Sequence, residues 1–246
     1  MESKNLRGKI ERRMARLGGR RIPLPSDRSI VSFTFDDVPR SACETGAAIL
    51  EKAGARGTFY VCGALENAGN GTMFDVETLR QLNAKGHEIG SHGFAHLDYQ
   101  SIPIAEVQAD IARNDEYFDA AGLPRATSFA YPYGCVNPAV KRLCGERFLA
   151  SRGVESKGNI GSVDLDLVKA VRLYSHAISE PFLAAEFRQA KLKGGWLVIM
   201  THAVTQSPGE FDASPQLLET AVRIAVDLGF AILPAAAAVG ELQGTK

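Results

Sequence analysis

At 246 residues, 45% hydrophobic and 23% charged, the chain has the composition of an ordinary soluble globular protein able to bury one full core. Lys and Arg balance Asp and Glu at 28 each, so bulk charge predicts binding to neither nucleic acid nor membrane. No run approaches the roughly 20 apolar residues of a membrane-spanning helix or forms a signal peptide, and four irregularly spaced cysteines suit neither a disulfide scaffold nor a zinc knuckle. They read as reduced thiols in a cytoplasmic protein.

Residues 1–28 form a basic N-terminal extension. Nine Lys or Arg there stand against Glu2, Glu11 and Asp27, a net +6 that leaves −6 on the domain of residues 29–246. Leu6, Ile10, Met14 and Leu17 recur at helical spacing with arginines between them. Such a helix either makes peripheral membrane contact through residues 1–21 or packs on the folded body or a partner subunit. Neither the sequence pattern nor the charge fixes an oligomeric state.

From residue 29 short apolar runs alternate with longer helical patterns. The first strand covers 30–35, where Val31, Phe33 and Phe35 alternate with Ser32 and Thr34. A helix over 41–53, a strand over 57–61, a helix over 75–85 ended by Gly86 and a strand over 88–91 follow. Ser101 is the expected cap of a helix reaching residue 121, and 128–130 is a short strand. Asn137-Pro138 has the form of a capped helix start, running to 146. Strands are expected over 148–151 and 170–174, a helix over 181–193 closed by Gly194-Gly195, and a strongly apolar strand over 196–200. Ser214-Pro215 opens a helix to 228, and 230–233 is the last strand. This alternation implies right-handed βαβ units, a parallel sheet and a single domain, an irregular (β/α) barrel rather than an open sheet.

In such a barrel function collects at the carboxyl ends of the strands. Five segments bring polar groups there: Asp36-Asp37, His92 with His96, the Tyr131-Pro132-Tyr133-Gly134 turn, Arg152, and Thr201-His202. Singly each has a plain structural explanation: a turn, a helix cap, a hydrogen-bonded core histidine. Their convergence on one rim is what makes them candidates.

The sequence resembles the polysaccharide deacetylase family, the nodulation-type chitooligosaccharide deacetylases and their relatives in carbohydrate esterase family four. The matching residues are Thr34-Phe35-Asp36-Asp37, Ser91 through His96, Phe129 through Gly134, and Leu197 through His202, in the family's order. The resemblance implies an irregular barrel of about seven strands. It also implies a metal-dependent hydrolase removing N-acetyl groups from an amino-sugar-containing oligo- or polysaccharide. By it Asp37, His92 and His96 hold a divalent metal, zinc first, with cobalt, manganese or nickel as alternatives. Asp36 matches the general base, the Tyr133 backbone N–H the oxyanion donor and His202 the general acid. Such residues suit the task, because amide hydrolysis needs an activated water, a place for the oxyanion and a proton for the departing amine.

Two positions depart from the family. Ala130 stands where an arginine usually orients the base, so Arg152, and after it Arg172, is expected to replace it. No clean tether for His202 is visible; Asp164 and Glu155 are the candidates. His87 precedes its strand and reads as structural. His176 follows one, so a substrate-side role competes there with a structural one. Cys135 reads as a packed thiol. A hydrolase of allantoin or a cyclic imide, and a catalytically silent sugar-binding domain, are the competing functions.

Overall fold

The computed structural model describes residues 6–244. In chain order its elements are α1 (Leu6–Ala15), β1 (Arg21–Pro23), β2 (Ser29–Asp36), α2 (Ala47–Lys52), β3 (Thr58–Val61), the kinked turn α3 (Ala68–Gly71), α4 (Val76–Ala84) and β4 (Glu88–Ser91). Then come α5 (Ile104–Ala120), β5 (Ser128–Ala130), α6 (Pro138–Arg147), β6 (Ala150–Arg152), β7 (Asn159–Ile160), β8 (Ser162–Asp164) and β9 (Val171–Arg172). The last are α7 (Glu180–Lys193), β10 (Gly195–Thr201), α8 (Pro215–Asp227), β11 (Ala231–Ile232) and α9 (Ala235–Gln243). Among the described residues no helix is long and apolar enough to cross a membrane.

Seven strands run parallel in the order β6-β5-β4-β3-β2-β10-β9. The sheet curls around β2, whose one edge is shared. β11 pairs with Ile30 and Val31 at its start, and β3 with Thr34, Phe35 and Asp36 at its end. Between the outer strands β6 and β9, the chain from Leu165 to Val168 lies along β6. Ser151 N donates to Leu165 O at 2.7 Å, and Gly153 N to Val168 O at 2.9 Å. The result is the expected single-domain irregular barrel.

Side-chain alternation along the central strands sorts two cores. Val31, Phe33 and Phe35 join the layer under the helices, whereas Ile30 packs with Trp196, Val198 and Met200 inside the barrel. Ser32, Thr34 and Asp36 share the inward face, and Ser32 Oγ accepts from the Trp196 indole at 2.9 Å. All seven residues of β10 are buried, as a parallel strand covered on both faces requires.

The expected cap at Asn137 is made, Ser214 caps the helix expected to start there, and Asp75 is a further cap, each side chain accepting from first-turn amides. Other boundaries differ. α5 starts after Pro103, because the Ser101 hydroxyl bonds Asp98 at 2.8 Å rather than a helix amide. The helix expected over 41–53 begins as a π-turn, Ala42–Gly46, before α2. The strand expected over 148–151 is shifted to Ala150–Arg152, which makes Arg152 its last residue. The 170–174 run shortens to β9, because Ser175 N turns to Asp212 O. The antiparallel pair β1–β8 has no counterpart in the expected pattern.

The described part of the basic extension is packed on the body. Ala15 is 1% exposed in the main core. The buried Lys141 ammonium donates to Ala15 O at 2.6 Å and to Gly18 O, and pairs with Asp164 at 2.6 Å. Arg20 Nε meets Asp166 at 2.6 Å.

Candidate metal and catalytic site

Strand β2 ends on Asp36, which is 3% exposed and faces the barrel interior. Asp37 then leaves the strand with φ 59°, and Val38 follows at φ 56°, a conformation a β-branched residue adopts only under strain. The two carboxylates therefore diverge, not by strand alternation but because the strand stops and the backbone turns left-handed. Six non-glycine residues have positive φ among the described residues, and four of them, Asp37, Val38, His96 and Tyr133, stand at this rim. Backbone strain is concentrated where the polar groups meet, a pattern typical of functional sites.

His92 follows β4 directly and is 1% exposed. Its Nδ1 lies 2.7 Å from Ala130 O, so Nδ1–H donates there and the Nε2 lone pair faces Asp37. The Nε2 atoms of His92 and His96 stand 3.8 and 3.4 Å from Asp37 Oδ1. One ligating atom from each of the three residues fits within 4.8 Å. Asp37 Oδ1 is buried without a hydrogen bond, a costly arrangement that a cation would relieve. Burial, opposed by Asp36 and Asp37, drives the His92 pKa down to about 4, so near neutral pH its imidazole is uncharged, as a ligand must be. Two imidazoles and one carboxylate on one side suit a divalent first-row metal with positions left open.

Asp110 and Asn114, which sequence reasoning missed, shape this loop from below. The Asp110 carboxylate accepts from Phe94 N, Ala95 N and the Tyr99 hydroxyl at 2.9, 3.0 and 2.7 Å, folding the turn between the histidines. Asn114 donates to Val61 O and Ser91 Oγ at 3.0 and 2.9 Å and accepts from Gly63 N. A signal existed: both lie on the buried face of α5 with Val107, Ile111 and Phe118, where a polar side chain needs a partner.

Opposite the histidines, Arg152 Nη2 donates to Asp36 Oδ1, and the paired side chains are 2% and 4% exposed. Burial works to raise the Asp36 pKa, but Arg152, then His92 and His202, outweigh it and hold the carboxyl below its usual range. Ala130 and Arg152 are direct cross-strand partners in the β5–β6 ladder. The guanidinium thus enters from the residue facing Ala130, where the resemblance led one to expect an arginine. Arg172, the second candidate, is exposed on β9.

His202 follows β10, with Nδ1 3.1 Å from Phe211 O and its ring 6.1 Å from that of Tyr174. Neither expected carboxylate tethers it. Asp164 is taken by Lys141, and Glu155 pairs with Arg16 at 2.5 Å. The imidazole rests instead on a main-chain carbonyl of the 203–213 loop. Tyr133, 60% exposed with φ 57°, sits in the Pro132–Gly134 turn with its ring 4.3 Å from that of His96. Gly134 is required there, since a Cβ would meet Val154 at 2.2 Å.

The remaining histidines hold backbone. His87 Nδ1 accepts from Gly57 N at 3.0 Å and Nε2 lies 3.3 Å from Glu51, at the amino end of β4. His176 Nε2 lies 2.9 Å from Pro208 O and so anchors the 203–213 loop. Burial pushes the Cys135 thiol up to about 11, unlike a nucleophile. All four cysteines are unpaired.

The family model described as polysaccharide deacetylase matches residues 24–146. A chitin deacetylase of Arthroderma benhamiae is 25% identical over 185 residues, covering 73% of this chain and 45% of its own length. The chain thus spans less than half of that relative. Among solved structures, the Bc1960 peptidoglycan N-acetylglucosamine deacetylase superposes with a TM-score of 0.62 at 15% identity, over 88% of this chain and 90% of its own. A family 4 acetyl xylan esterase from Clostridium thermocellum, in complex with a cobalt ion, does so at 0.62 and 18%, over 88% and 93%. That likeness shows the fold, and the family match across residues 24–146, half of the chain, establishes that it belongs to the polysaccharide deacetylase family.

Proposed function

We propose that the chain is a metal-dependent hydrolase that removes N-acetyl groups from an amino-sugar-containing oligo- or polysaccharide. The observation that carries this is a division of labour between adjacent carboxylates. Asp37 faces two imidazoles with an unmatched buried oxygen, while Asp36 is kept ionised outside that cluster by Arg152. The relatives' names, chitin, peptidoglycan N-acetylglucosamine and acetyl xylan, share an acetyl group on a sugar polymer.

A divalent metal held by Asp37, His92 and His96, zinc first by this donor set, would polarise the acetyl carbonyl and lower the pKa of the attacking water. Asp36, ionised and fixed in place by Arg152, accepts the water's proton. The backbone N–H of Tyr133 donates to the oxygen on which negative charge develops. His202, steadied through Nδ1 by the Phe211 carbonyl, delivers a proton to the departing amine nitrogen. Thr201 pairs with Phe35 in the β10–β2 ladder, so His202 and Asp36 leave neighbouring strand ends at the same mouth.

The test is acetate release by metal-loaded protein from N-acetylglucosamine oligomers, run beside allantoin and cyclic imides. Acetate should appear from the oligomers, with imide turnover lower by at least about tenfold, the discrimination a mismatched polar site imposes. Turnover of allantoin or an imide without acetate release would overturn the sugar assignment, and inactivity on every substrate would overturn the enzyme.

A further inference from the structure

Helix α1 is anchored to the catalytic rim by its polar side. Gln100, in the loop leading from His96 to α5, donates from Nε2 to Gly8 O at 2.7 Å and accepts from Arg12 Nη1 at 2.9 Å. Arg16 Nε pairs at 2.5 Å with Glu155, three residues beyond Arg152. Lys141, in the first turn of α6, reaches Ala15 O at 2.6 Å. These three contacts belong to the loops and helix start that follow β4, β5 and β6, so α1 lies beside the mouth that holds His96, Tyr133 and Arg152.

Its apolar side faces the opposite way. Ile10 and Met14, one turn apart on α1, are 50% and 53% exposed, and Leu17, in the turn just beyond its end, is 80% exposed. A surface helix ordinarily turns such residues inward, toward its own core. Here the orientation is reversed. Arg13 and Arg21, both exposed, lie in the same segment, whereas Arg16 and Arg20 are held by Glu155 and Asp166 of the body.

We infer that α1 is an interfacial docking helix and that its occupant is an anionic lipid bilayer. The charge distribution selects this partner. Residues 1–28 carry +6 and the rest of the chain −6; ion pairs of Arg16, Arg20 and Arg28 with Glu155, Asp166 and Glu241 offset three of those charges, and the positive charge that remains draws an anionic surface to this end of the molecule. The dimensions argue against a second copy. Ten residues make a helix about 15 Å long, and one face of it falls far short of the roughly 800 Å² each partner buries in a stable dimer. A bilayer has no such threshold, because each arginine and each inserted side chain contributes separately.

Flotation of the full chain with phosphatidylglycerol-containing vesicles, beside pure phosphatidylcholine vesicles, tests this. The protein should float with the anionic vesicles only and leave them as salt is raised. The triple variant Ile10→Ser, Met14→Ser, Leu17→Ser should lose at least about tenfold in partitioning, the scale of removing three inserted apolar side chains. All three side chains are exposed, so folding and acetate release from a soluble oligomer should match the parent. That assay reports on the deacetylase reading alone, and its failure leaves the flotation result standing. Absence of flotation, equal flotation of the variant, or a parent dimer that the variant converts to monomer would each overturn the inference.

Discussion

The two walls of the candidate site are built by different rules. On one side Asp37, His92 and His96, the residues expected from the resemblance, lie within 4.8 Å of one another. On the other, Arg152 reaches Asp36 from β6 where the resemblance led one to expect an arginine on β5, and His202 rests on a carbonyl where a carboxylate was expected. The contrast has a physical origin. A metal demands several ligand atoms at fixed distances and angles, which short side chains deliver only from particular backbone positions. An arginine has a long side chain and a forked head, so either of two facing strand residues brings it to the same carboxylate. What must be exact is tied to one place in the chain, and what must only be charged and near is not.

The largest expected effects test the first wall. His92→Ala or His96→Ala should drop metal content from about one per chain toward zero and abolish turnover. Asp37→Asn should weaken metal binding in the same way. Asp36→Asn should keep the metal and lose roughly 10²–10⁴ in rate, the weight of general-base catalysis. Metal analysis alongside acetate release checks all four variants, and equal metal loss from both aspartate variants would erase the division between them.

The second wall makes an intermediate prediction. Arg152→Ala should leave metal content unchanged and lower kcat by roughly 10- to 100-fold, the usual scale for a group that orients a catalytic one. Burial would then be opposed only by His92 and His202, the Asp36 pKa should rise, and the acid limb of the pH–rate profile should move upward. Breaking so buried a pair should also cost about 3–5 kcal/mol in a denaturant melt. The native pair stabilises above the ordinary carboxyl pKa of 3.8, and that stabilisation is lost as pH falls through the lowered folded value. Because Ala130 faces Arg152 across the ladder, adding Ala130→Arg to Arg152→Ala should restore part of the rate and return the acid limb. No recovery would mean that the two positions are not interchangeable.

How much of this was legible in the sequence follows the same division. Alternation along β2 and the buried run of β10 marked the central strands, and Asn137-Pro138 and Ser214-Pro215 marked helix starts, because those signals are local. The reach of Arg152 was accessible too, since a strand end in a barrel must lie on the rim. The tether of His202 was not. Phe211 O is a backbone atom, which no residue type announces, and Asp164 and Glu155 were already engaged by Lys141 and Arg16 of other segments. The left-handed turn at Val38 was equally hidden, since a β-branched residue disfavours it.

The smallest predicted effect probes that hidden tether. Asp212 closes the 203–213 loop, its carboxylate accepting from Ala203 N at 3.0 Å and Gly209 N at 2.9 Å. Those bonds place the Phe211 carbonyl under the His202 ring, so Asp212 acts on the acid only through the backbone. Asp212→Asn keeps the volume but replaces one acceptor oxygen by a donor, opposing an amide hydrogen with another. The loop should loosen and the imidazole should lose its fixed tautomer part of the time. Acid catalysis as a whole contributes about 10²–10⁴, and a partial loss of alignment should take roughly three- to tenfold of it. Metal content and the acid limb set by Asp36 should not change, because neither touches this loop. The effect should be larger for substrates with poor amine leaving groups, which depend most on the proton. A variant with full rate on such a substrate would show that the ring is held without the loop, and that the acid side tolerates even more freedom than the base side.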